Sequence, residues 1–289
     1  LSEAVPALKV RLLTIDSTQA PIILWIQNRI GRSLQGWHSY DNWAKAPGGI
    51  EEEYLLDNSL RLHDNTQSQD NEFPINDGLL KIRSLLSTSR SSVRLAGLSG
   101  VGKTRFVQAL FDHRVGAQTL NPTLVFYTDI SDNPDPSPQA FAEQLIAKRA
   151  KSILVIDNCP PDLHRSLTKI CTQENSSVSL LTVEYDVRDD VPDETNVFRL
   201  EPASEELIEK LIRNRYSHIS QVDAHTIAHF SGGNARIAIA LANTVKRNES
   251  LSDFHDEELF KRLFWQREAS KEDLLVSAEV CSLVYSFEG

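Results

Sequence analysis

With 289 residues, the chain is long enough for a core domain and one or two appended units. Apolar residues at 40% and charged residues at 24% are ordinary for a globular protein, and the net charge of −10 argues against a non-specific nucleic-acid binder, which needs a surplus of Lys and Arg. There is no run of about eighteen apolar residues and no charged-then-apolar leader, so the expectation is a cytoplasmic protein without a membrane contact. Cys159, Cys171 and Cys281 are too few and too scattered for a disulfide framework or a CxxC metal site.

In chain order, residues 1–72 read as a β-rich or mixed segment that closes in a linker. The apolar runs Val10–Ile15 and Ile22–Ile26 suggest strands, GWHSYDNW at 36–43 is aromatic-rich, and Pro47–Gly49 is a turn signal. The polar stretch 63–72 reads as the linker. From Leu79 the pattern alternates. Leu79, Ile82, Leu85 and Leu86 recur at helical spacing, and Ser92–Ala96 is a short strand. Further strands are expected at Thr123–Ile130, Ile153–Asp157, Val178–Val183 and Val197–Leu200, with helices at 104–113, 138–149 and 161–173. Five strands in βα alternation predict a five-stranded parallel sheet in a core over 73–202.

After Pro202 the strands stop. Ser204 can cap a helix carrying Leu207, Ile208, Leu211 and Ile212, with Glu205 and Glu206 in its first turn. Helices at 221–230 and 234–247 complete a helical lid over 203–249, and 250–289 reads as the start of a helical or winged-helix domain. The lack of any Met and the abrupt end at Gly289 are expected of a sequence trimmed from a longer one.

The chemistry is concentrated at Gly97-Leu98-Ser99-Gly100-Val101-Gly102-Lys103-Thr104, which matches G-x-x-x-x-G-K-[ST] at every fixed position. Glycines let the backbone curl so that N–H groups of Ser99, Val101 and their neighbours converge on phosphate oxygens at the start of a helix. Lys103 can reach the β and γ phosphates of a nucleoside triphosphate, and the Thr104 hydroxyl can ligate Mg²⁺. The apolar run Ile153–Ile156 ends in Asp157, a carboxylate at the C-terminal end of a buried strand, where a second Mg²⁺ contact belongs.

These motifs and the helical unit after Pro202 resemble the AAA+-related STAND class of signal-transduction ATPases over about 79–250. That resemblance implies an ATP/ADP switch: ADP holds a closed monomer, and ATP favours an open form that homo-oligomerises and activates an effector domain in response to a protein trigger. Bacterial members are regulators and anti-phage defence proteins. By the same likeness, Arg236 in Phe230-Ser231-Gly232-Gly233-Asn234-Ala235-Arg236 resembles an AAA+ sensor 2 arginine near the γ-phosphate, where STAND proteins often carry Gly-Leu-Pro. Thr182 stands at the sensor 1 place, with Glu184 where plant-type relatives have Arg.

AAA+ ATPases usually have Glu after the Walker B Asp, as the base that takes a proton from the attacking water. Here the residue is Asn158, which can orient water but not deprotonate it. Asp162 or Glu184 would have to substitute, and slow hydrolysis is expected. The alternative reading is an AAA+ ATPase acting on DNA-bound factors, resembling replication-initiator or transposition ATPases, so direct nucleic-acid contact stays open. The acidic balance of residues 254–289 favours the switch.

Other constellations are weaker. His225 and His229 share a helical face but lack the Glu of HExxH, so they read as structural. Trp37, Tyr40 and Trp43 read as a small hydrophobic core before a base-stacking surface. Glu51, Glu52, Glu53 and Asp57 lack a partner Lys for a nuclease site.

Overall fold

The computed structural model describes residues 34–44, 59–65, 71–184, 194–246, 250–251 and 254–264. The runs Val10–Ile15 and Ile22–Ile26, the turn Pro47–Gly49, the acids Glu51, Glu52, Glu53 and Asp57, and Cys281 lie outside them. The chain divides into two compact units, one of residues 1–98 and 103–201, the other of Ser99–Gly102 with the residues from Pro202 onward.

The first unit is built on one sheet. Its strands are β1 (Trp37–Ser39), β2 (Leu60–Asp64), β3 (Asn71–Pro74), β4 (Ser92–Ala96), β5 (Val125–Asp129), β6 (Ser152–Asp157), β7 (Val178–Val183) and β8 (Asn196–Leu200), in the order β1-β5-β6-β7-β4-β8-β2-β3. The sheet is therefore mixed and eight-stranded, not five-stranded and parallel. The five anticipated strands are neighbours and pair in parallel. Antiparallel β1 extends one edge and antiparallel β2 and β3 the other. These three come from the stretch read as a separate segment and linker. They were missed because Leu60–Asp64 and Asn71–Pro74 are short and polar, and edge strands need little apolar content.

Why the central strands are parallel is visible in β6. All six residues are buried, so both faces are covered, as parallel sheets require. Leu154 and Ile156 face a core shared with helices α4 (Pro138–Ala147) and α5 (Pro161–Cys171), through Phe141, Leu145 and Leu167. Trp37 and Trp43 close the β5 edge. Trp37 packs on Phe141 with centroids 4.3 Å apart, and Trp43 stacks on Tyr127 at 4.3 Å and 9°. Both tryptophans are buried, so neither offers a ring face to a base. Strand β1 places Trp37 there, and the short helix α1 (Tyr40–Ala44) places Trp43.

Helix α2 (Ile75–Ser87) buries Ile75, Leu79, Ile82 and Leu86 together with one charged residue, Arg83. Gly78 is needed where α2 meets β2, because a Cβ there would run into the Leu62 side chain. Arg83 is 1% exposed. Its guanidinium donates to the carbonyls of Leu110 at 2.9 Å, Ala117 at 2.7 Å and Ala109 at 2.6 Å. Helix α3 (Lys103–Ala109) ends under this group, and the chain leaves through i→i+3 turns at Leu110, Phe111 and Asp112, short of the expected 113. Arg83 thus satisfies C-terminal carbonyls of the helix that follows the glycine loop, at the dipole end that favours a cation. Burial pushes its pKa down from the ordinary Arg value, opposed by the Asp112 charge.

The second unit is helical. Helices α6 (Glu205–Arg215), α7 (Gln221–Ser231), α8 (Ala235–Ala242) and α9 (Asp256–Phe264) bury Ile208, Ile212, Ile227, Leu241 and Leu259 around one core. Ser204 caps α6 by accepting from the Leu207 N–H at 3.2 Å. His225 and His229 lie beside Glu209 and Glu205 at 3.6 and 2.9 Å and have no metal-binding cluster around them among the described residues. No helix of the described residues is long and apolar enough to cross a membrane.

Replacing Arg83 by Met keeps the apolar stem but strands several buried carbonyls. Denaturant unfolding is expected to show a loss of about 3 kcal/mol or more, and a loss under about 1 kcal/mol would mean that solvent can serve those carbonyls.

Candidate functional site

The glycine loop begins where β4 ends. Gly97, Gly100 and Gly102 have φ of +144°, +89° and +101°, values that L side chains rarely adopt. A Cβ on Gly97 would also collide with the Leu200 carbonyl oxygen, whereas Gly102 has open space and is needed for its backbone alone. The Lys103 ammonium donates to the carbonyls of Gly97 at 2.6 Å and Leu98 at 2.8 Å, which draws it along the loop.

Asp157 ends β6 and is buried. The Thr104 hydroxyl donates to its Oδ2 at 2.9 Å, the Tyr127 hydroxyl to the same oxygen at 3.3 Å, and the Asn158 N–H to Oδ1 at 3.0 Å. Burial pushes the Asp157 pKa up; these three donors oppose it, and the neighbouring Asp129 carboxylate adds to it. Burial beside Asp157 and Asp129 also drives the Tyr127 phenol far up, so it stays protonated and a donor. A buried carboxylate touching a hydroxyl is a hard oxygen pair that suits a hydrated Mg²⁺, and a cation there would relieve the burial of charge.

Asp129 ends β5 directly opposite Asp157 in the parallel register. Asn158, with φ +52°, turns back so that its Nδ2 donates to Asp129 Oδ2 at 2.8 Å. Ser131 donates to Asp129 Oδ1 from its N–H at 2.9 Å and its hydroxyl at 2.7 Å. Burial raises the Asp129 pKa, but the bonds from Asn158 and Ser131 outweigh it and hold the group below the ordinary carboxylate value.

Thr182, expected as a sensor, is placed elsewhere. It pairs with Ile156 and shares the face that α5 covers, and its hydroxyl is bonded to His164 Nδ1 at 2.8 Å with no exposure. Strand alternation is the reason: Ile156 and Asp157 point to opposite faces, and Thr182 follows Ile156. Of the substitute bases, Asp162 has a 96% exposed side chain paired with Arg165, and Glu184 is buried close enough to Cys159 to help push that thiol up to about 12, mainly a result of burial.

The second unit holds part of the loop. Arg236 Nη1 donates to the Ser99 hydroxyl at 3.1 Å, and Asn234 Nδ2 donates to the Ser99 carbonyl at 2.7 Å. Asn234 Oδ1 meanwhile caps α8 by accepting from the N–H groups of Arg236 and Ile237 at 3.1 and 3.2 Å. A Cβ on Gly100 would strike Asn234 Oδ1, so this approach depends on glycine. Val101 is buried. Asn234, Asp129 and Tyr127 were missed by sequence reasoning. Asp129 carries the signal used for Asp157, an acid ending an apolar strand, and Asn234 carries that of a helix cap.

No protein-family model matches the chain, and no curated protein is similar to it in sequence. Among solved structures it is similar to a Signal Transduction ATPase with Numerous Domains carrying a tetratricopeptide repeat sensor, from Pyrococcus horikoshii, at 14% identity and TM-score 0.42 over 73% of this chain and 34% of that one. It is also similar to the RuvB Holliday junction branch migration motor of Thermotoga maritima, at 16% and 0.40 over 71% and 68%. A third likeness is to PCH-2 of C. elegans, at 13% and 0.41 over 70% and 69%. This chain has an α/β fold with a mixed sheet and several helices. It spans about a third of the length of the first.

Two outcomes test the site. Lys103→Ala is expected to weaken ATP binding by roughly 10–100-fold, the worth of a charge-assisted phosphate contact, with the free protein still folded; unchanged affinity in calorimetry would remove Lys103 from the site. Asp157→Asn should abolish the Mg²⁺ dependence of nucleotide binding. A raised folded-state pKa means that ionising Asp157 costs stability once pH passes its unfolded value near ~3.9. The stability of the free variant relative to wild type should therefore grow from pH 4 to 7, and a flat difference across that range would contradict the burial argument.

Proposed function

We propose that the chain is an ATP-binding switch of STAND type, in which the ATP or ADP state governs opening and homo-oligomerisation and so activates an effector, in prokaryotic anti-phage defence or regulation. The observation that carries this reading is the pair of bonds from Arg236 and Asn234 to Ser99. A loop that holds phosphates is tied by two side chains to the start of a helix, so a change in what the loop holds is felt at α8.

The residues fit a magnesium nucleotide. Ser99, Gly100, Val101 and Gly102 would supply N–H groups to phosphate oxygens, Lys103 its charge, and Thr104 and Asp157 the oxygens for the cation. Bound there, Mg²⁺ would neutralise phosphate charge during hydrolysis. The chain's own contribution is to orient the phosphates at the N-terminus of α3 and to keep a fixed, buried carboxylate beside them. Asn158 where a motor keeps Glu supports slow turnover, well below the ~10 s⁻¹ typical of enzymes. We read 73–202 as the nucleotide core, 203–249 as its lid and 250–289 as the start of a further domain.

Arg236 also supports the alternative of an AAA+ ATPase acting on DNA-bound factors, since STAND proteins often have Gly-Leu-Pro there. Size analysis with ATP and with ADP separates the two readings. A switch assembles with ATP, stays monomeric with ADP, and loses assembly in Arg236→Ala while ADP affinity changes less than about threefold. Fast hydrolysis by a monomer, insensitive to Arg236→Ala, would favour the alternative.

A further inference from the structure

The reading above leaves hydrolysis without a base, because Asn158 cannot accept a proton, Glu184 is buried beside Cys159, and Asp162 points to solvent in a pair with Arg165. A different carboxylate lies at the same sheet edge. Asp129 stands opposite Asp157 at the end of the neighbouring parallel strand, and Asn158 reaches across to hold it at 2.8 Å.

The two aspartates are equipped differently. Asp157 is buried, and its oxygens accept from Thr104, Tyr127 and the Asn158 N–H. Asp129 is half-buried, so water can reach it. A carboxylate has about four acceptor positions. Ser131 takes two on Oδ1 and Asn158 one on Oδ2, which leaves one on Oδ2, the oxygen aligned by the residue that follows Asp157. The left-handed backbone at Asn158 turns the amide back toward β5, and Asn is among the few non-glycine residues that accept this conformation readily.

We propose that Asp129 is the general base for nucleotide hydrolysis and that Asn158 is its positioning residue, so that the acid and amide have exchanged places relative to an enzyme with Glu after its metal-binding Asp. This rests on the nucleotide reading of the 97–104 loop. Attack of water on the γ-phosphorus forms one P–O bond and breaks the bond to the β–γ bridging oxygen. The proton lost by the water goes to Asp129 Oδ2 and then to solvent, leaving ADP and inorganic phosphate.

Asp129 also caps the 3₁₀ turn Ile130–Asp132, a purely structural use of the same carboxylate. Asn caps as well as Asp, so Asp129→Asn separates cap from base. Three readouts are taken on the full chain: fluorescent-ATP affinity, thermal midpoint of the nucleotide-free protein, and phosphate release. Asp129→Asn should cut turnover by about 100-fold or more, with affinity within about threefold of wild type and the midpoint unmoved. Reversing the pair, D129N/N158D, should recover at least about tenfold over D129N, because a carboxylate held by an amide is restored at that edge. A loss of turnover in D129N that only follows a lowered midpoint, or failure to fold, with no recovery on reversal, would make the carboxylate a structural support, and that result overturns the proposal. Wild-type turnover in D129N, or ATP binding without any hydrolysis in the wild type, overturns the base and leaves the nucleotide reading standing. No ATP binding by the wild type overturns both.

Discussion

Parallel pairing of β5, β6, β7, β4 and β8 is the constraint from which the candidate chemistry follows. Strands that run the same way deliver their C-terminal ends to one edge, and each strand there must turn or stop with its backbone groups satisfied. The glycine loop leaves β4 at that edge, Asp157 closes β6, and Asp129 closes β5. The register of β5 on β6 sets the two aspartates side by side. Slipping it by one residue would send one carboxylate to the α5 face, into the apolar core.

Two like charges next to each other in a partly dry site are unfavourable unless each is given its own donors. The chain supplies them from both sides. Thr104 and Tyr127 serve Asp157, Ser131 serves Asp129, and Asn158 serves both, through its N–H and through its amide. A second acid at position 158 would sit against Asp129, whereas an amide ties the two strand ends together. The opposite face shows the same economy of polar groups. His164 binds the Thr182 and Thr195 hydroxyls, and Ser92 is bonded to Thr168, so polar side chains within the α5 layer satisfy one another.

The loop illustrates how backbone freedom and packing combine. Gly97 and Gly100 are each required twice, for their φ and for the atoms that would meet a Cβ. At Gly100 those atoms belong to Asn234 and Arg236, so the same glycine that shapes the loop admits the start of α8. Arg83 holds the far end of α3 by its last carbonyls.

The five central strands, the glycine loop, Asp157 and the capped helix after Ser204 were legible in the sequence, because each is written in contiguous residues: apolar runs long enough to be buried, a motif whose spacing follows from its geometry, a cap followed by helical periodicity. The edge strands were not. Leu60–Asp64 and Asn71–Pro74 owe their conformation to partners far along the chain, and nothing local distinguishes them from linker. The same holds for side-chain roles. That Thr182 faces His164, that Asn158 serves Asp129, and that Asn234 reaches Ser99 depend on register, strand alternation and close approach across 18, 29 and 135 residues of sequence. Local sequence determined the five central strands, the glycine loop and the capped helix after Ser204. Only the tertiary structure decided which carboxylate stands beside which amide, because hydrogen bonds act over about 3 Å in space and leave no trace in spacing along the chain.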